Sequence, residues 1–355
     1  MIAVARVATA LALVTALGGC IAAAIPVVAS SAIVRERMQA KREQGRAPSP
    51  EPTPSPARRA VVTTEGTWRV LDGAKALPPP SGVPAAPTAA KPAGVPPGMQ
   101  YLYGSGEGAA ASIQAYAALT TYLNAQVAAA RKGVLRQAVL SDGASLNQPH
   151  FDACGKKPLA AVFDIDETAL LNLGYEGDEA RRGLAFDEAR WLRWERTGAD
   201  KVVAAPGAHV AIRVARALGV VVIFNSNRTR ENAAQTAAAL DGAGLGPVKH
   251  GTTLWLKGDD GGGSNKDDRR WAIATGYCVV ALVGDQLGDF SDLFNDPTLT
   301  PSTRRALAAS PQLAAMWGNG WFVLPNPVYG TALKGGADDI FPYDMRWTDP
   351  GEAAK

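Results

Sequence analysis

Apolar positions in the second half of the chain fall into two alternating patterns. Residues 160–163, 220–224 and 278–283 are short continuous apolar runs, as expected of strands buried on both faces, and 253–256 reads as a further short strand. Between them, 208–218, 231–240 and 267–275 carry helical patterns. Upstream, Ile113, Tyr116, Thr120, Leu123 and Val127 recur at spacings of three and four, which predicts one face of a helix over about 108–132. Strands alternating with helices predict an α/β fold, a parallel sheet with helices on both faces. Chemistry in such a sheet sits at the carboxyl ends of the strands. The segment between Thr168 and Val220 is longer than one crossover helix needs, and predicts a small, mostly helical cap over about 172–205.

The N-terminal pattern differs. Arg6 precedes an apolar stretch, 7–17, which runs into Leu17-Gly18-Gly19-Cys20. A small residue before a cysteine at the end of such a stretch is the layout of a bacterial lipoprotein signal, giving a signal peptide over 1–20 and a diacylglyceryl-modified Cys20. Apolar residues continue over 21–34 and Arg35, Arg37, Lys41, Arg42 and Arg46 follow, so an uncleaved inner-membrane signal anchor is the alternative. Residues 47–98 are rich in Pro and Ala and bury little, so 21–98 is expected to form a membrane-proximal tether. An island within it, 67–71, has no evident docking partner. A globular domain over 99–345 and a tail over 346–355 complete the organisation. The expected location is the bacterial cell envelope, as an outer-membrane lipoprotein facing periplasm or surface.

Composition narrows the chemistry. The 355 residues are 47% hydrophobic and 19% charged, enough for a sizeable core. Lys and Arg number 36 against 33 Asp and Glu, a net charge of +3 that offers no field for gripping nucleic acid. His150, His209 and His250 lie far apart, outside any zinc-ligand spacing. A metal here should be hard and oxygen-bound.

Polar residues collect where the apolar runs end: Asp164-Ile165-Asp166-Glu167-Thr168, Asn225-Ser226-Asn227-Arg228, Ser264-Asn265-Lys266, and Gly284-Asp285 through Asp289. Aspartates at i and i+2 of an extended chain point the same way and repel unless a cation lies between them. With Asp285 and Asp289 they form an oxygen cage suited to Mg²⁺. One carboxylate can then attack phosphorus while the other protonates the departing alcohol. Ser226, with Asn227 beside it, and Lys266 can hold the phosphoryl oxygens as charge spreads over them. The Gly-rich segment before Lys266 lacks the lysine placement of a P-loop, which excludes an NTPase.

The order DxDxT, Ser, Lys, GDxxxD resembles the haloacid dehalogenase (HAD) phosphohydrolases. Within them, DIDET, SNR, NKxxR, GDQLGDF, FDEARWLRW, AAPGA and WFVLPNPVYG resemble the class C acid phosphatases, the lipoprotein e(P4) and 5′-nucleotidase family, over roughly 104–330. The resemblance implies a Rossmann-type HAD fold, with Asp164 as nucleophile and Asp166 as general acid and then base. Mg²⁺ would be held by Asp164, the backbone carbonyl of Asp166, Asp285 and, through water, Asp289. Ser226 and Lys266 would bind the phosphoryl group, and Thr168 would brace the loop. Phe186 and Tyr329 are candidate substrate contacts. Trp191 and Trp194 are candidates for packing, and Arg269 for a salt bridge to Asp285 or another motif acid. Small phosphomonoesters are the implied partners, among them 5′-nucleotides and nicotinamide mononucleotide, with the membrane reached through the lipid anchor. A noncatalytic surface or storage protein and a phosphotransferase are the rival readings of the same fold. In a HAD sheet the strands preceding motifs one and four are neighbours, which brings Cys154 near Cys278; a disulfide and two free buried cysteines both remain open.

Overall fold

The computed structural model describes residues 94–133 and 135–351, and two short strands, 59–62 and 68–71. The signal segment, Cys20, most of the tether and the last four residues lie outside the described residues. The chain divides into two units, 1–84 and 85–355. In the first, β1 (Arg59–Val62) pairs antiparallel with β2 (Trp68–Leu71), so the apolar island of the tether has a partner strand six to twelve positions away, with Val62 opposite Trp68.

The second unit opens with α1 (Pro97–Gly104) and α2 (Gly106–Ala130). Ser105 starts α2 by accepting the Gly108 amide at 2.9 Å, an N-cap that sets the helix's first turn. Tyr116 and Leu123 are buried as the periodicity implies and Thr120 and Val127 are half-buried, but Ile113 is 51% exposed. The buried stripe runs through Gly108, Ser112, Tyr116, Leu119 and Leu123 instead, and the Ser112 hydroxyl donates to the Pro206 carbonyl at 2.8 Å.

The sheet follows: β3 (Leu159–Phe163), β6 (Val221–Thr229), β7 (Leu254–Lys257), β8 (Cys278–Gly284) and β9 (Trp321–Val323), in the order β7-β6-β3-β8-β9 and parallel throughout. This is the expected α/β architecture. Along β3, Ala161 and Phe163 face one apolar layer, built with Tyr116, Leu123 and Ile212, while Ala160 and Val162 face the other, with Ile273, Phe290 and Trp321. The period of two thus buries both faces, which is why the run is continuously apolar. Helices α5 (Ala208–Ala217), α6 (Ala233–Gly242) and α7 (Asp267–Gly276) connect the strands. β9 was not expected: three residues are too few for a periodic signal, and Trp321 is fixed by donating its indole N–H to the Ala138 carbonyl at 2.7 Å.

Between β3 and α5 the chain makes a small excursion. β4 (Leu170–Leu171) pairs antiparallel with β5 (Val203–Ala204) at its base, and α3 (Leu173–Arg182) and α4 (Glu188–Thr197) fill the interval. Trp194 joins the two helices. A Cβ on Gly174 would stand 2.7 Å from its ring and one on Gly198 would stand 2.2 Å away, so both positions need glycine for the indole to fit.

Cys154 and Cys278 are joined in a disulfide, with Cα atoms 4.9 Å apart and 124 positions between them in sequence. Cys278 opens β8 opposite Leu159 of β3, so the bridge lies at the amino ends of the strands, opposite the end that carries the acids.

Candidate active site

β3 ends at Phe163, and the next residue continues beside β8, the Asp164 amide donating to the Val283 carbonyl at 2.9 Å. β8 ends at Gly284. A Cβ there would stand 2.2 Å from the Cβ of Asp289, so glycine lets the following turn fold back onto the strand. The Gln286 amide holds that turn by donating to Asp289 Oδ2 at 2.9 Å. Carboxylate oxygens of Asp164, Asp285 and Asp289 consequently lie within 4.8 Å of one another. Three donors orient Asp285: Thr168 Oγ1 at 2.8 Å, Asn326 Nδ2 at 2.7 Å and Gln286 Nε2 at 3.0 Å.

Lys266 stands at the N-terminus of α7, where its own amide donates to Asp292 Oδ2 at 2.7 Å. Its Nζ donates to Asp164 Oδ1 at 2.5 Å and Asp289 Oδ1 at 2.7 Å. Ser226, on β6, is buried and its Oγ accepts the Arg228 amide at 3.1 Å. Asp164, Asp166, Ser226, Lys266, Asp285 and Asp289 all line one cleft of about 910 Å³ that extends under the α3–α4 excursion.

Burial pushes the Asp164 carboxyl well up; Lys266 opposes this, while Asp289, Asp285 and Asp166 add to it. Burial and then Asp289 push Asp285 up to about 6, against the hydrogen bonds from Asn326, Gln286 and Thr168. Burial works to lower the Lys266 ammonium, yet Asp164 and Asp289 outweigh it and the net direction is up. Three crowded carboxylates share one ammonium, and the surplus negative charge is what a hard divalent cation relieves. The donor set, all oxygen with Asp285 already fixed by three hydrogen bonds, fits such an ion.

The family described as HAD superfamily, subfamily IIIB (acid phosphatase), matches residues 108–332. The chain belongs to the HAD subfamily IIIB acid phosphatases. Among solved structures, the class C acid phosphatase from Bacillus anthracis with tungstate bound shares the fold at 21% identity and a TM-score of 0.52, over 68% of this chain and 92% of that one. A second structure of class C acid phosphatase from Bacillus anthracis aligns at 22% identity and a TM-score of 0.52, over 66% and 84%. This HAD acid phosphatase is thus a phosphomonoesterase acting on small phosphomonoesters.

The remaining expected residues are distributed unevenly around the acid phosphatase site. The carboxylate of Asp166 stands apart from the other three and accepts from Arg228 and Asn172. Asn227 is exposed, with its amide donating to the Ser264 carbonyl at 2.9 Å and accepting Arg269 Nη2 at 2.7 Å. Arg269 reaches neither Asp285 nor another motif acid: its nearest carboxylate is Asp260, 3.7 Å away, because α7 turns its side chain toward the Gly-rich loop. Phe186 is 67% exposed at the cleft, its ring 6.5 Å from Trp191, which also lines the cleft. Tyr329 lines it too, with its hydroxyl donating to Glu167 Oε2.

Glu167 had no assigned role in the sequence, yet it is a hub. It is buried with φ at 55°, and it accepts from Tyr103, Tyr329 and both the amide and side chain of Asn172. These contacts hold a left-handed conformation that a non-glycine residue otherwise avoids. Burial pushes its carboxyl up to about 7, Asp166 adding to the effect and Tyr329 opposing it. Arg228, quoted within the SNR segment, likewise carried no signal beyond its adjacency to Ser226.

Proposed function

We propose that this chain is an exported, lipid-anchored, Mg²⁺-dependent acid phosphatase that hydrolyses small phosphomonoesters, 5′-nucleotides and nicotinamide mononucleotide among them, through an aspartyl-phosphate. The observation that carries the reading is a buried Asp164 held against Lys266, facing Asp285 and Asp289, with Asp166 in the same cleft. Asp164 attacks phosphorus, forming the acyl phosphate as the ester P–O bond breaks. Asp166 gives a proton to the departing alkoxide, and then takes one from the water that cleaves the acyl phosphate. Ser226, with Asn227 beside it, and Lys266 hold the phosphoryl oxygens, where preorganised donors stabilise developing charge most. Asp164, the Asp166 carbonyl, Asp285 and Asp289 would hold Mg²⁺, which would supply positive charge at those same oxygens.

The size of the cleft and the aromatic faces of Phe186 and Trp191 at the α3–α4 excursion support a nucleoside-sized leaving group, with Tyr329 also lining the cleft. Export to the periplasm or cell surface is supported by the Leu17-Gly18-Gly19-Cys20 segment and by the disulfide, which persists in oxidising compartments. Phosphate release from nucleotides, sugar phosphates and an aryl phosphate, measured with and without Mg²⁺, tests the enzymatic part. Release independent of added Mg²⁺ in chelator-treated protein would overturn it. Palmitate labelling that depends on Cys20 tests the anchor, and unlabelled wild type would favour a signal anchor.

A further inference from the structure

Asp166 is gripped unusually firmly for a group that must exchange a proton. Arg228, 2% exposed, donates to its Oδ1 from Nε at 3.0 Å and Nη2 at 2.7 Å, and to Oδ2 from Nε at 3.2 Å. Asn172 donates a further bond to Oδ1 at 2.9 Å. Oδ1 therefore accepts three donors and Oδ2 one, the longest of the set. Arg228 is itself fixed: its Nη2 also donates to Asn172 Oδ1 at 2.9 Å, that oxygen accepts the Trp194 indole at 3.2 Å, and the guanidinium carbon lies 5.9 Å from the Trp191 ring centre. The guanidinium is not among the groups lining the cleft, whereas Asp166 is.

We propose that Arg228, braced by Asn172, is the positioning residue that turns Asp166 Oδ2 to the leaving group. The inference rests on Asp166 being the proton donor of the proposed function. A guanidinium fork occupies Oδ1 in a fixed plane, so the proton that Asp166 exchanges sits on Oδ2, the oxygen with the fewest partners. As the ester P–O bond breaks, its electron pair goes to the leaving oxygen and the Oδ2 proton follows. The resulting carboxylate faces a paired cation. In the second half-reaction Oδ2 regains a proton from the attacking water. A lysine cannot reproduce the fork, because its ammonium is a point charge without planar geometry.

The experiment compares kcat/KM for a poor alkyl leaving group, glycerol 2-phosphate, with that for a good one, p-nitrophenyl phosphate. This ratio covers the steps through leaving-group departure. A proton donor matters for the first substrate and little for the second, so loss of general acid catalysis reads as about 10²-fold or more on the alkyl ester alone. Arg228→Gln should show this bias, with the loss on the aryl ester smaller by at least tenfold, and Asp166→Asn should show it too. If Asp166→Asn lacks the bias, the reading of Asp166 fails; if Asp166→Asn shows it and Arg228→Gln lowers both substrates equally or neither, the positioning role fails. Arg228→Lys, read alongside by its thermal transition, keeps the buried charge and carries the same comparison should Arg228→Gln not fold. Full recovery of the alkyl-ester rate in Arg228→Lys would also overturn the role of the fork.

Discussion

At the scale of single residues, the acid phosphatase site is organised by shared protons and charges. Asp164 and Lys266 are each buried, and each has the other as its closest charged partner, at 2.5 Å. Asp164→Asn removes the nucleophile while retaining the side chain's size, so folded protein with a rate below about a thousandth of wild type is expected in a steady-state assay of purified variant. A larger residual rate would remove Asp164 from the chemistry. Lys266→Ala should lower kcat by about 10²–10³, the usual effect of one lost transition-state donor. It also leaves the aspartates without their ammonium, so a higher divalent-cation occupancy at fixed concentration should accompany the loss, readable by equilibrium dialysis.

At the scale of elements, α3 carries a carboxyl out of its ordinary range. Glu176 is buried and lines the cleft, and no donor meets its Oε2 among the described residues. Burial first, then the charges of Glu167 and Glu179, push it from 4.5 up to about 8. The folded state therefore binds this proton more tightly than the unfolded chain. Its contribution to stability is complete below about pH 4.5 and is lost as pH rises through about 8. Glu176→Gln removes that dependence. Thermal transitions of variant and wild type should coincide near pH 4 and separate in the variant's favour toward pH 9, and parallel curves across that range would refute the assignment.

At the scale of the whole molecule, two constraints hold the catalytic unit. One is the sheet, whose central β3 is buried between two apolar layers. The other is the Cys154–Cys278 bridge, which closes a span of 124 positions at the sheet's amino edge. Reduction is expected to lower stability by about 2–4 kcal/mol, the typical worth of such a link. Because the bridge and the acids lie at opposite ends of the strands, kcat at a temperature well below the transition should not change on reduction. Calorimetry and activity with and without reductant check both halves. No helix among the described residues is long and apolar enough to cross a membrane.

Local pattern alone determined much of this protein. Apolar runs of four to six residues are strands because a doubly covered sheet requires them, and the acids fall at the strand ends because polar groups must leave the core there. That is why Asp164, Ser226, Lys266, Asp285 and Asp289 could be named from order and spacing, and why the structure brings all five to one cleft. What only the tertiary structure decided are pairings between distant positions. Arg228 meets Asp166 from 62 positions away, and Glu167 gathers Tyr103 and Tyr329 from 64 positions before and 162 after. The same holds for β9 at the sheet edge and for Ile113, which periodicity placed inside while the buried stripe runs one position earlier through Ser112. Periodicity records which way a residue faces along its own element; which side chain waits on the opposite element depends on strand order and crossover packing, and these exist only once the chain has closed on itself.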